Sequence, residues 1–171
     1  MQQNKTQFYV LVALMIALVA VVTRFLVVPV GGGYFNFSDT AVYLTAFLLG
    51  PIPGFLAGGI GAALADLSLG YGAFAPLTFL AHGIQGLVAG YLARDGSIQS
   101  RVLGALAGTV AMVGIYFLGE YFGPALGWGG PAQALVEWPF NLLQNIVGAI
   151  VAIPLVDAVR RAYPPIARYT Q

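Results

Sequence analysis

The sequence has no cysteine and very few charged residues. None of its 171 residues is Cys, and only 8% are Asp, Glu, Lys or Arg, against about 25% in soluble domains. The missing cysteines exclude disulfides, thiolate catalysis and zinc–cysteine sites. The net charge of +1 argues against a nucleic-acid surface, which needs a basic face. Because a soluble fold could not cover its surface with so few charges, the composition predicts an integral membrane protein.

Motifs for catalysis and nucleotide binding are also missing. The single histidine, His82, cannot make a metal site, and Asp66 nearby would bring the ligand count only to two. There is no Gly-x-Ser-x-Gly elbow and no phosphate-binding loop. We therefore predict no catalytic residues, no metal, no cofactor and no ATP hydrolysis by this chain. An intramembrane enzyme is the least favoured class of function.

Apolar residues make up most of what is present. The chain is 59% hydrophobic, with a mean hydropathy of +0.85, and segments such as LVALMIALVAVV lack the alternation of β-barrel strands. A membrane span needs roughly 20 apolar residues, or fewer where neighbouring helices shelter it. We predict an all-α integral membrane protein with six transmembrane helices in one compact bundle, a single domain over 1–171. The predicted helices are 7–28, 37–49, 53–69, 74–94, 101–122 and 132–162, separated by Gly and Pro breakers.

The basic residues are unevenly distributed over this predicted bundle. Six spans put both termini on one side, and that side holds all the basic residues except Arg24: Lys5, Arg94, Arg101, Arg160, Arg161 and Arg168. Basic residues favour the cytoplasmic side, so we predict cytoplasmic N and C termini. The outer face then collects acidic and aromatic residues. A site for a small polar aromatic molecule is expected in the outer half.

Polar side chains within the predicted spans mark candidate binding residues, since they are costly in lipid. His82 and Gln85 lie three residues apart and share a face of helix 4. A second polar group forms a stripe on the outer half of helix 6, and Trp138 adjoins it. Its members are Glu137, Asn141, Gln144 and Asn145. Both groups offer hydrogen-bond donors and acceptors, and we favour ligand contact. The alternatives are a histidine that satisfies a neighbouring backbone or carboxylate group, and a polar stripe that joins helices.

Two carboxylates bound the hairpin of helices 2 and 3. Asp39, at the start of helix 2, either contacts a ligand or caps that helix. Asp66 ends helix 3, where the helix dipole disfavours a negative charge, so we expect a structural pair between Arg24 and Asp66 or Asp39. Whether Asp66 and Glu120 belong to a site stays open here.

Small residues recur every four positions in several helices. Gly54, Gly58 and Ala62 in helix 3 predict close packing between helices of this chain. Ala13 and Ala17 form a notch on helix 1 among large apolar residues. For this notch, internal packing and docking of a helix from another protein are equally open.

Three stretches together resemble the substrate-binding S-components of energy-coupling factor (ECF) vitamin transporters. They are FNFSD at 35–39 continuing to LLGPIPGFLAGGIGAALADLSLGY, APLT to HGIQG at 75–86, and EWPFNLLQ to IPL at 137–155. The resemblance spans nearly the whole chain and is nearest to the group for hydroxymethylpyrimidine, vitamin B6 and riboflavin. It implies a high-affinity binding subunit for a flat vitamin or vitamin precursor, in a prokaryotic plasma membrane. Delivery inward would need a transmembrane coupling subunit and two ATPase subunits.

The resemblance also implies roles for individual residues. A lid would lie at about 30–37, with three glycines allowing movement, so that Tyr34 and Asn36 join Asp39 among the substrate-binding candidates. Ala13 and Ala17 are similar to the family's docking motif for the coupling subunit. The alternative function is a non-catalytic structural subunit of a membrane complex with no small ligand.

Overall fold

The fold is taken from a computed structural model, which describes residues 5–30 and 33–169. Two glycines of the predicted lid, Gly31 and Gly32, lie outside the described residues. The described chain forms six α-helices, one β-hairpin and two short 3-10 helices. The helices are α1 Lys5–Phe25, α2 Ser38–Leu49, α3 Pro51–Leu69, α4 Ala75–Leu92, α5 Ile98–Phe122 and α6 Pro131–Ala162. The hairpin pairs β1 Val27–Val30 with β2 Gly33–Asn36, and the 3-10 helices are Pro124–Leu126 and Pro164–Tyr169.

The hairpin was not predicted. Helix 1 was expected to continue to residue 28, but α1 ends at Phe25 and Val27 pairs antiparallel with Asn36. The β-branched Val27 and Val28 suit a strand, and Pro29 cannot continue a helix because it has no backbone N–H. The segment between α1 and α2 is therefore a short two-stranded cover and not an open loop.

The other helix ends differ from the predictions by at most three residues. The largest difference is at α5, predicted from 101 and observed from Ile98. Ser97 caps this helix, because its side chain accepts the backbone N–H of Ser100 at 3.1 Å. Pro51 begins α3, where the missing N–H of proline costs nothing.

Four of the helices are long and apolar enough to cross a membrane: α1, α3, α5 and α6. This agrees with the predicted all-α membrane class. Helix α2 is apolar but has only 12 residues, about 18 Å at 1.5 Å per residue. Eleven of those residues are buried, so α2 is sheltered inside the bundle. It begins two residues after strand β2 ends.

Glycines in α3 and α4 allow these two helices to approach at backbone distance. A Cβ placed on Gly54 would lie 2.7 Å from the carbonyl oxygen of Gly86, and one on Gly58 would collide with the carbonyl oxygen of His82. The prediction of internal packing by the small residues of helix 3 is confirmed. Because the two backbones touch, Asp66 on α3 and His82 on α4 come to line one cavity.

Candidate ligand-binding site

A cavity lies where the hairpin meets the ends of α3, α4, α5 and α6. Its empty volume is about 420 Å³, a value that includes the open space at its mouth. The lining residues come from strand β2, from helices α3, α4, α5 and α6, and from the α3–α4 loop. The lining residues are Gly33, Tyr34, Asn36, Asp66, Tyr71, Phe74, Thr78, His82, Met112, Tyr116, Glu137, Asn141 and Gln144.

Aromatic rings form much of the cavity wall. The rings of Tyr34 and Tyr71 have centroids 5.2 Å apart, and Tyr116 meets the His82 ring edge-on at 5.8 Å. The Tyr116 hydroxyl donates to Thr78 Oγ1 at 2.8 Å. Such walls favour a flat ring, since offset and edge-to-face contacts contribute about 0.5–1.5 kcal/mol each.

Tyr34 joins the hairpin to α3. Its hydroxyl donates to Asp66 Oδ1. Burial, and then the Asp66 carboxylate, raise the pKa of Tyr34, so the hydroxyl keeps its proton and remains a donor. The hairpin is thereby fastened over the cavity at this point.

A second contact joins the hairpin to α6. The backbone N–H of Asn36 donates to Gln144 Oε1 at 2.8 Å, and Asn36 Oδ1 accepts the N–H of Ser38 at 2.7 Å. The Gln144 oxygen is thus used by the hairpin, while none of the described residues accepts from its amide nitrogen. That nitrogen is available as a donor to a ligand in the cavity.

Beneath the cavity lies a buried hydrogen-bonded group that we call the polar floor: Asp39, Tyr43, His82, Gln85 and Asn145. Gln85 Nε2 donates to Asp39 Oδ1 at 2.6 Å and to Asn145 Oδ1 at 2.7 Å. His82 Nδ1 lies 2.9 Å from Gln85 Oε1 and 3.4 Å from Asp39 Oδ1. The Tyr43 hydroxyl donates to Asn145 Oδ1 at 2.7 Å. These bonds hold the His82 ring in one orientation. This agrees with the alternative in which the histidine satisfies a neighbouring carboxylate group.

Six of the nine predicted substrate-binding residues line the cavity: Tyr34, Asn36, His82, Glu137, Asn141 and Gln144. The structure places the other three outside the lining. Asp39 and Gln85 belong to the polar floor, while Trp138 is 41% exposed. Adjacent residues of a helix face different sides, so Glu137 and Trp138 cannot both point inward.

The predicted structural pair of Arg24 is wrong. Asp66 is 2% exposed and accepts from Tyr34, and Asp39 accepts from Gln85. Arg24 lies on the exposed side of α1, with its guanidinium carbon 5.4 Å from the centre of the Phe25 ring. In the described chain it forms no salt bridge with either carboxylate. Capping by Asp39 is not seen either, because no side chain caps the N-terminus of α2.

Sequence reasoning did not assign six of the lining side chains to the site: Asp66, Tyr71, Phe74, Thr78, Met112 and Tyr116. Helical periodicity could have indicated some of them. Thr78 lies one turn before His82, and Met112 one turn before Tyr116, so each pair shares a helix face. The contribution of Asp66 and Tyr71 depends on the position of the hairpin, which no local pattern indicated.

The notch on α1 is not covered by the residues that the structure describes. Ala13 and Ala17 are both exposed, while the buried residues of this helix are Val12, Val19 and Thr23. The notch therefore faces away from the bundle. Docking of a partner helix there stays a prediction.

Comparisons with known proteins agree with this architecture. A family model described as the S component of the ECF-type riboflavin transporter matches residues 3–161. The chain is 31% identical over 154 residues to the thiamine precursor transporter HmpT of Lactococcus lactis subsp. cremoris, covering 88% of this chain and 86% of that protein. It is 34% identical over 140 residues to an uncharacterised protein of Pyrococcus woesei, covering 81% and 90%. A solved S component of a bacterial ECF transporter has the same fold, with a TM-score of 0.75, 23% identity, and coverage of 93% of this chain and 98% of that one.

The resemblance predicted from the three sequence stretches is thereby confirmed. An S component is a multi-pass plasma-membrane protein that binds a small vitamin ligand and is not an enzyme. It works with the ECF module, which consists of a transmembrane component and ATPases. The chain belongs to the S-component family of ECF-type riboflavin transporters.

Proposed function

We propose that this chain captures a flat, single-ring vitamin or vitamin precursor, such as hydroxymethylpyrimidine or a B6 vitamer, in the cavity beneath the hairpin. Binding is at high affinity from the outer side, and the ECF module then drives delivery inward. The observation that carries the proposal is the lining itself, which combines the rings of Tyr34, Tyr71 and Tyr116 with the amides of Asn141 and Gln144. The similarity to a thiamine precursor transporter supports the same ligand class.

The test is to identify the ligand that the protein carries. The chain is purified in detergent, and any bound small molecule is determined by mass spectrometry. Thermal stability is then measured with hydroxymethylpyrimidine, B6 vitamers, riboflavin, thiamine and folate. We expect a pyrimidine or a B6 vitamer to raise the melting temperature, because a ligand that binds only the native state stabilises it. If no compound binds, the chain is a structural subunit without a small ligand.

Replacing Gln144 or Asn141 with alanine should weaken binding of that ligand about 10- to 100-fold. Each substitution removes a hydrogen-bonding group from the lining, worth about 1–3 kcal/mol when its partner is left buried. Gln144→Ala also removes the acceptor of the Asn36 N–H. Isothermal titration calorimetry measures the effect. Gln99→Ala, at an exposed position in the first turn of α5, is the control. Unchanged affinity in both variants removes α6 from the site.

We propose a single membrane domain over 1–171 with six spans and both termini in the cytoplasm. The hairpin end then faces outward and the α4–α5 turn faces inward. The basic residues support this orientation, because Arg94 and Arg101 flank that turn. Helices α2 and α4 complete the six spans and are shorter or more polar than the other four.

Cysteine labelling tests the proposed topology. The natural sequence has no cysteine, so Gln99→Cys and Gly72→Cys each create one reporter, both at exposed positions. A membrane-impermeant maleimide added to intact cells should label Gly72→Cys and not Gln99→Cys. The reverse pattern inverts the proposed orientation, and equal labelling of both from outside contradicts the number of spans.

A further inference from the structure

A second concave region lies at the end of the bundle where α1 begins, between α1 and the turn that joins α2 to α3. Its empty volume is about 780 Å³, a value that includes the open space at its mouth. Among its described lining residues, Arg94 is the only charged one, and Tyr9 contributes the only other polar side-chain group. We call this region the α1 groove, and it is lined by Phe8, Tyr9, Val12, Leu49, Pro51, Ile52, Pro53, Leu56 and Arg94.

The α1 groove exists because α1 touches α3 at one level and is held apart from it at another. At Gly61 the two helices meet, since a Cβ there would lie 2.7 Å from the carbonyl oxygen of Ile16. About one turn nearer the start of each helix, Val12 and Leu56 line the groove. Larger side chains replace glycine at this level, so space is left between the helices.

One wall of the groove is held in place by the C-terminal 3-10 helix. The rings of Phe8 and Tyr169 have centroids 5.9 Å apart, and the Tyr169 hydroxyl donates to Gln7 Oε1 at 2.9 Å. Tyr169 is itself buried. The start of α1 is thus tied to the C-terminal segment, and the groove is not a gap left by a loose helix end.

The floor of the groove suits an aliphatic chain. Pro51 and Pro53 have no backbone N–H, and Leu49 and Leu56 offer only aliphatic side chains. A polar group that enters such a surface without a hydrogen-bond partner loses free energy. An acyl chain needs no such partner, so the floor favours a lipid over a polar metabolite.

Arg94 supplies positive charge to the lining of the groove. Its guanidinium carbon lies 4.2 Å from the centre of the Tyr91 ring, a cation–π contact that orients the side chain. Arg94 takes part in none of the salt bridges within the described ranges. The neighbouring Asp95 carboxylate instead accepts the backbone N–H of Ser97 at 2.7 Å. The charge of Arg94 is therefore available to an anionic group.

The end of the bundle around the groove is basic as a whole. Its two acidic residues are Asp95 and Asp157, and Asp157 already pairs with Arg101 at 2.9 Å. In the proposed orientation this end faces the cytoplasm, where anionic headgroups give the leaflet a negative potential that attracts basic residues. The basic residues at this end are Lys5, Arg94, Arg101, Arg160, Arg161 and Arg168.

We propose that the α1 groove binds one anionic phospholipid, with an acyl chain over the apolar floor and the phosphate headgroup at Arg94. This site is separate from the vitamin cavity and does not depend on which ligand that cavity holds. A guanidinium matches phosphate oxygens in charge-assisted hydrogen bonds. A second copy of the chain would bring the same basic end to the groove and would be repelled.

Native mass spectrometry of the subunit, purified in detergent without vitamin, tests the headgroup contact. It compares two lipids with identical acyl chains: phosphatidylglycerol, which is anionic, and phosphatidylcholine, which has no net charge. We expect phosphatidylglycerol to bind about fivefold more tightly, the usual attraction of one basic residue to anionic lipid. Arg94→Gln should remove this preference and leave phosphatidylcholine binding unchanged. Arg24→Gln, exposed at the other end of α1, is the matched control and should keep the preference. Equal binding of both lipids by the unaltered protein, or a preference that survives Arg94→Gln, overturns the proposal.

Filling the groove tests the acyl-chain contact. Leu56→Trp places an indole ring in the space that the chain would occupy, and it should weaken binding of both lipids at least fivefold. Val110→Trp makes a similar change at an exposed position of α5 and should leave binding unchanged. Unchanged binding in Leu56→Trp shows that the lipid lies elsewhere and overturns the proposal. If Leu56→Trp fails to fold, the lipid pair with Arg94→Gln decides the question.

Photo-crosslinking identifies the occupant in a membrane. A benzophenone amino acid replaces Ile52, which lines the groove and is 61% exposed, and the complete transporter is placed in vesicles of phosphatidylglycerol and phosphatidylcholine. Crosslinks mainly to phosphatidylglycerol support the proposal. Crosslinks to the coupling subunit or to a second copy of this chain, in place of lipid, overturn it.

Discussion

Replacing Ala17 with tryptophan should abolish vitamin uptake while leaving the ligand affinity of the purified protein within about twofold. Ala13 and Ala17 are exposed on α1, on the side away from the bundle. Small residues let a partner helix approach at 8–10 Å between axes, and an indole ring at this position prevents that approach. Lipid chains accept the same ring without difficulty, so the isolated subunit stays folded.

Uptake of radiolabelled ligand by cells that produce the complete transporter measures this effect. We expect a loss of at least tenfold for Ala17→Trp and for Ala13→Trp. Val110→Trp is the control, because Val110 is 74% exposed on α5 and lies away from α1. If uptake survives both alanine substitutions, the partner docks on another surface. If ligand affinity falls in parallel with uptake, the substitution has disturbed the fold and the notch is not a docking site.

Gln85→Leu should destabilise the protein by about 3–5 kcal/mol, because it removes several buried hydrogen bonds, and each buried polar group left without a partner costs about 1–3 kcal/mol. The Gln85 amide donates to Asp39 and Asn145 and lies against His82. Leucine has nearly the same size but no polar atom, so Asp39 would lose the hydrogen-bond donor that stabilises its buried carboxylate. The expected fall in melting temperature is on the order of 10 °C for a chain of this length.

Thermal unfolding of the purified protein without ligand measures this prediction. Gln99→Leu makes the same change at an exposed position and should leave the melting temperature almost unchanged. The double variant Asp39→Asn/Gln85→Leu should recover part of the loss, because it also removes the Asp39 carboxylate that has lost the Gln85 donor. A melting temperature equal to that of the unaltered protein would show that the polar floor does not contribute to stability. If the double variant shows no recovery, the loss of stability comes from altered packing and not from the Asp39 carboxylate.

Much of the architecture could be predicted from the sequence because helix formation in lipid depends on local patterns. Long apolar runs, Pro and Gly breakers, and small residues every four positions indicated the helices and the close contact of α3 with α4. The stripe of Asn141 and Gln144 follows the same helical periodicity, and these side chains do line the cavity. Their direct contact with a ligand stays a prediction.

The hairpin could not be predicted in this way. Four residues in each strand are too few for a clear pattern, and Val27 and Val28 continue the apolar run of α1. Once the hairpin forms, Tyr34 reaches an oxygen of Asp66 that lies 32 residues later in the chain. The expected pair between Asp66 and Arg24 does not form. The helix dipole indicated that Asp66 needs a partner, but it could not indicate that Tyr34 would be the residue nearby.

The sequence by itself determined that this is a helical membrane protein with polar groups inside its spans. Composition and periodicity are enough for that, since they decide which segments can satisfy their backbone hydrogen bonds in lipid, while the S-component family was indicated by the resemblance of three stretches. Only the tertiary structure decided which polar groups face the cavity and which support it. Gln85 and His82 share a helix face, yet Gln85 binds Asn145, 60 residues away, while His82 lines the site. Whether a polar side chain lines the cavity or supports it depends on contacts between segments that are distant in sequence, because these contacts decide which hydrogen-bond partner lies within reach.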